Sequence, residues 1–174
     1  IPYLYEHGYQ GPFYCTPPTR DLMVMMCLDY VDIAQKDGKP SPYPKKAIEK
    51  AIKHSIVLDF GEVSDIAPGV RLTFQPSGHL LGSSMVHIHI GDGMHNLLYT
   101  ADLQYAPTRL LNPAFTGFNR VETLVIESTY GGSEDRRQPR KEAEEQFFAA
   151  VNRTVEGGGG RVLIPSFAVG RAQE

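Results

Sequence analysis

Between residues 55 and 126 the apolar residues come in short runs, too brief for helices and too evenly punctuated for loops, and this spacing commits the stretch to a β-sheet. Residues 55–59, 70–75, 85–90 and 97–100 are rich in Val, Ile, Leu and Tyr, which suit a pleated, half-buried surface. Gly91-Asp92-Gly93 supplies a hairpin turn between two of these runs. Residues 121–126 are almost continuously apolar, which predicts a strand buried on both faces.

Helical signals flank the sheet. Residues 12–16 predict a short strand, and Pro17-Pro18-Thr19 follows, with Thr19 the expected N-cap of a helix over 20–35. Leu22, Met25, Met26, Asp29 and Ile33 fall near helical spacing, so this Met-rich stripe is expected to pack into the core. Asp37-Gly38-Lys39-Pro40 ends the helix, and a second is expected over 45–53. A polar helix over 139–156 is closed by Gly157 to Gly160; a buried strand is expected over 162–165 and a helix from Val169. The composition breaks near Gly131-Gly132, which divides the chain into 1–131 and 132–174.

The chain has 174 residues, 41% hydrophobic and 21% charged, the composition of a globular α/β protein. A net charge of −3 gives no overall basic field, so affinity for nucleic acid has to come from local patches or bound metal. Cys15 and Cys27 form no Cys-x-x-Cys pair, which predicts a reduced, cytoplasmic chain. No apolar run reaches the roughly 18 residues of a membrane helix, so no membrane partner is expected. The chain opens on Ile1 without a secretory pattern and closes inside a helix-like segment, so both ends are expected to be cut from something longer.

Three segments carry chemistry. In Ser77-Gly78-His79-Leu80-Leu81-Gly82-Ser83 the flanking glycines permit a tight loop that could bring an imidazole to a metal; alone, such a His reads as a polar surface residue. Leu97-Leu98-Tyr99-Thr100-Ala101-Asp102 is an apolar run ending in a carboxylate, read either as a metal ligand or as a turn cap. Thr123-Leu124-Val125-Ile126-Glu127-Ser128-Thr129-Tyr130-Gly131 repeats that pattern at Glu127.

In order and spacing these segments resemble the β-CASP branch of the metallo-β-lactamase superfamily, and within it the archaeal cleavage-and-polyadenylation-specificity-factor-like endonucleases. The likeness extends through Tyr14-Cys15-Thr16-Pro17-Pro18-Thr19-Arg20 and through residues 164–174, which end Gly170-Arg171-Ala172-Gln173-Glu174, and so covers essentially the whole chain. It implies part of an αββα metallo-β-lactamase sandwich over 1–131, followed by the beginning of a β-CASP α/β domain over 132–174. It implies a zinc-dependent ribonuclease that cuts single-stranded RNA endonucleolytically, with 5′→3′ exonuclease activity as a candidate, in mRNA 3′-end processing or transcription termination.

The resemblance makes His79 a zinc ligand, Asp102 a carboxylate bridging two zinc ions, Glu127 the support of a general-acid histidine, and Arg171 a candidate phosphate contact. It places the His-x-His-x-Asp-His metal motif before Ile1 and the remaining histidines after Glu174, so the isolated fragment is expected to be inactive. A homodimer through regions outside this chain is a candidate. One departure is visible: Ala101 stands where a Gly commonly precedes the Asp.

Other features are read blandly. His87 and His89 share one strand face, expected to be solvated, and His7, His54 and His95 are expected at the surface. Arg136, Arg137, Arg140 and Lys141 read as a solvated helix start, with an RNA-facing patch as the alternative. Gly157 to Gly160 lacks the Lys-Ser/Thr of a phosphate loop, and no Gly-x-Ser-x-Gly elbow supports serine chemistry. The rival functions are a catalytically inactive RNA-processing scaffold subunit and a metallo-hydrolase of small esters or thioesters.

Overall fold

The computed structural model describes residues 1–174 and shows a mixed α/β protein whose chain divides into two units, Ile1–Glu127 and Ser128–Glu174. The first unit opens with α1 (Pro2–Glu6), β1 (Phe13–Cys15), α2 (Pro17–Lys36), α3 (Lys45–His54) and β2 (Ser55–Val57). It continues with β3 (Val63–Ala67), β4 (Val70–Pro76), β5 (Ser84–Ile90), β6 (His95–Tyr99) and β7 (Thr123–Val125).

Helix α2 begins three residues earlier than predicted. Thr16, not Thr19, is the N-cap: its backbone is extended and its hydroxyl accepts from the Thr19 N–H at 3.4 Å. Pro17 and Pro18 occupy the first helical turn, where a missing N–H leaves no bond unmade. Only Val31 and Ala34 of α2 are buried, on the side that meets α3 and β2. The predicted stripe turns outward instead, with Met25, Met26 and Ile33 each about half exposed. Small, compact residues let the helices approach, and the long methionines lie off that contact.

Helix α3 is amphipathic. Ala47, Ile48 and Ala51 form its buried face, and lysines cover the other. It packs on α1, whose Tyr5 is buried and donates its hydroxyl to the Gly11 carbonyl at 2.7 Å. Strands β1 and β2 pair in parallel.

The main sheet has the order β3-β4-β5-β6-β7, antiparallel except for the parallel pair β6–β7. Strand β3 was not foreseen; its alternating Val63-Ser64-Asp65-Ile66 is only half apolar and sits between Gly61 and the Pro68-Gly69 turn. One face carries Leu72, Phe74, Val86 and Ile88 against Leu58 and Tyr14. The other carries Met85 and Leu98 against Ala114, Leu103, Phe118 and Val121. The segment joining β6 to β7 therefore roofs this second face, which explains why His87 is buried rather than solvated as predicted. Its ring lies edge-on to Phe118 at 5.2 Å and beside His89 at 4.2 Å.

Strand β7 also departs from expectation. It pairs only with β6, and Leu124, Val125 and Ile126 are about half exposed, because an edge strand lacks a second neighbour to cover it.

The second unit contains α4 (Arg140–Glu156), which buries none of its residues. Residues 162–165 form no strand, and Leu163 is 93% exposed. A strand needs a hydrogen-bonding neighbour, and this unit contains none. The segment from Val169 folds as turns rather than a helix.

Candidate functional site

Sheet topology brings the three predicted chemical segments to one end of the main sheet. Strands β6 and β7 are parallel neighbours, so their C-terminal ends emerge together, delivering Asp102 and Glu127. Strand β5 is antiparallel to β6, with Val86 opposite Tyr99, so the β4–β5 loop that carries His79 lies at the same end.

That loop is clamped from inside and outside. Ser83 accepts from Ser77 Oγ and from the Leu80 N–H, both at 2.8 Å. The Ser77 N–H reaches the Ser83 carbonyl at 3.1 Å. Gly82 has φ +79°, and a Cβ there would come within 2.8 Å of Pro18 and Thr16. Its carbonyl accepts from Thr16 Oγ1 at 2.7 Å and from Thr19 Oγ1 at 3.0 Å, which anchors the loop to the start of α2. Gly78 has φ +72°, and a Cβ there would meet the Gln104 carbonyl and the Ala114 nitrogen at 2.8 Å. The Gln104 N–H donates to the Ser77 carbonyl at 2.9 Å, which stitches the His79 loop to the segment after Asp102.

The second arm is as closely specified. Thr100 is buried; its N–H reaches the Val125 carbonyl at 3.0 Å, and its hydroxyl donates to the Ala101 carbonyl at 2.9 Å and accepts from the Glu127 N–H at 3.3 Å. Ala101 has φ +50° and is the sole non-glycine residue in the left-handed region. The departure noted in the sequence thus falls where the backbone asks for the glycine that is missing. The Glu127 carboxylate accepts from the Leu103 N–H at 2.7 Å, immediately beyond Asp102.

The result is that His79 Nε2 lies 3.7 Å from Asp102 Oδ2, with both side chains substantially exposed. This is too long for a hydrogen bond, and an exposed ion pair contributes at most about 1 kcal/mol. Two ligands bound at 2.0–2.1 Å to a tetrahedral zinc lie about 3.4 Å apart, so the pair has close to the separation of two corners of one metal polyhedron. No group of three or more His, Cys, Asp or Glu side chains that could hold a metal ion assembles in the chain.

Arg171 is engaged elsewhere: its guanidinium pairs with Glu174 at 2.6 Å, and Glu174 also takes Arg140 at 3.2 Å. Arg137 stacks on the Tyr130 ring at 3.5 Å. His95 reaches Thr123 Oγ1 at 2.9 Å, and His54 reaches the Lys50 carbonyl at 2.8 Å, so both histidines are partly buried structural partners. Sequence reading missed Thr100, whose hydroxyl at a strand end was an available signal, and the Leu103 N–H, for which no side-chain signal exists.

The fold and this site place the chain among mixed α/β proteins that display polar side chains on loops at one end of a sheet. Over its whole length it is similar to proteins named transcription termination factor FttA: 54% identical to that of Methanothermobacter thermautotrophicus, 52% to that of Methanosarcina mazei and 51% to that of Pyrococcus horikoshii. The chain spans 27% of the length of each of these relatives. No protein-family model matches it. No helix is long and apolar enough to cross a membrane.

Proposed function

We propose that this chain is the portion of an archaeal transcription-termination factor that contributes two zinc ligands, His79 and Asp102, to a β-CASP-type metallo-β-lactamase ribonuclease. The observation that carries the reading is the 3.7 Å approach of His79 to Asp102 at the end of the sheet where three loops converge. The name shared by the similar proteins supports the setting, since termination acts on a nascent transcript.

Zinc at this site would supply Lewis acidity and a water of lowered pKa for phosphodiester hydrolysis. The chain's own residues do the positioning. His79 offers a neutral donor from a loop clamped at Gly78 and Gly82, and Asp102 offers a carboxylate held by the left-handed turn at Ala101. Glu127 fixes that turn through the Leu103 N–H. With charge neutralised locally by metal, a chain of net charge −3 can still approach single-stranded RNA.

The test is cleavage of an end-labelled single-stranded RNA by the full natural protein, beside Asp102→Ala. Internal cuts that vanish with chelator and with the substitution support the reading. Binding without cutting favours the scaffold alternative.

A further inference from the structure

Helix α3 concentrates positive charge in a chain that is acidic overall: Lys45, Lys46, Lys50 and Lys53 stand against the single carboxylate Glu49. Lys46, Lys50 and Lys53 recur at helical spacing, so their ammonium groups follow one stripe spanning about 10 Å of helix axis. The stripe lines a cavity of 430 Å³ between α1 and α3, with Ala47 and Tyr5 also contributing. Lys45 is neutralised by Asp32 at 2.8 Å, but the three stripe lysines make no ion pair; Lys50 reaches only the Tyr5 carbonyl at 3.4 Å. Glu6 and Glu49 line the same cavity without pairing to them, leaving it with a net positive charge.

The dipole of α3 favours Lys53 in its last turn but not the cations of its first. The first turn of α3 holds Lys45 and Lys46, no acidic residue and no capping side chain, so its cations sit against the positive end of the helix dipole. The buried face, Ala47, Ile48 and Ala51, would form the same helix with neutral residues outside. None of the cavity's residues belongs to the loops that carry His79 and Asp102.

We infer that the α1–α3 cavity is a second, sequence-independent contact for the RNA sugar–phosphate backbone, made by Lys46, Lys50 and Lys53. The inference rests on the reading of this protein as one that acts on single-stranded RNA. A stripe of ammonium groups suits a row of phosphates, and the cavity offers no exposed ring on which a base could stack, since Tyr5 is buried.

The experiment uses the full natural protein carrying Asp102→Ala, so that RNA stays intact, and a labelled oligouridine, with affinity measured between about 50 and 200 mM KCl. Loss of three phosphate contacts in Lys46→Gln/Lys50→Gln/Lys53→Gln should lower the log–log salt slope by about 2, so the affinity of the protein with all three lysines should fall roughly 20-fold more over that range than the variant's. Glu49→Gln, which leaves the buried face untouched, should tighten binding a few-fold at low salt. Lysine acetylation footprinting, which needs no variant, should show Lys46 and Lys53 protected by RNA. Equal salt slopes with unprotected lysines would overturn the inference, as would protection by polyglutamate but not by RNA. Cleavage by the unsubstituted protein is scored separately: cutting with an unchanged slope sinks only the lysine contact, and a lysine-dependent slope without cutting sinks only the nuclease reading.

Discussion

Ala101 concentrates the tension of the site in one residue. Holding an L-residue at φ +50° costs about 1–2 kcal/mol, and glycine would remove that cost while adding about 0.4–1 kcal/mol of unfolded-chain entropy. Ala101→Gly should therefore stabilise the protein by about 0.5–1 kcal/mol, read from denaturant midpoints at constant slope. A loss of stability would mean that the turn is not left-handed in solution. His87 is the second residue that matters. Burial, then His89, lowers its pKa from 6.5; the Arg120 carbonyl and Glu122 act the other way. Its Nε2 is buried without a partner. A depressed imidazole pKa means that the unfolded chain takes up the proton first, so stability present above pH 6.5 falls as pH drops below it. Glu122 adds a separate window: hydrogen bonds from Asn96, reinforced by Arg120, hold it down to about 2, so its contribution fades from pH 4.5 toward 2. His87→Leu should flatten the stability profile just below pH 6.5 and leave the lower window intact. An unchanged profile in thermal melts would mean that His87 sets no pH dependence of stability.

Helix α3 buries Ala47, Ile48 and Ala51 within the first unit. Ile48 is 1% exposed on a helix that meets both α1 and α2, and Ile48→Ala should cost about 2–5 kcal/mol, measured by urea unfolding. A cost below about 1 kcal/mol would show that α3 does not seal this core. The strands over 70–100 were legible because their residues alternate between two covered faces, and α3 because its apolar positions repeat at helical spacing. The burial of α2 and β7 was not legible. Periodicity in Leu22, Met25, Met26 and Ile33 identifies a helical face but not what meets it, and the run ending in Ile126 reports apolarity without saying whether a neighbouring strand exists. Residues 162–165 fail as a strand for the same reason.

Across the whole molecule, the candidate site follows from connectivity more than from composition. His79, Asp102 and Glu127 are each ambiguous in sequence, and only the order β5-β6-β7, with one parallel pair, makes their loops converge. Their residue types were readable; the 3.7 Å approach and the bond from the Leu103 N–H to Glu127 depend on turns that no pattern announces. Whether His79 and Asp102 are corners of one metal site is read from the zinc content of the full natural protein by elemental mass spectrometry, beside His79→Ala and Asp102→Ala. The unsubstituted protein should hold two zinc ions per chain and each variant at least one fewer, with melting of the first unit's core little changed. Two zinc ions retained in both variants would mean that neither residue is a ligand.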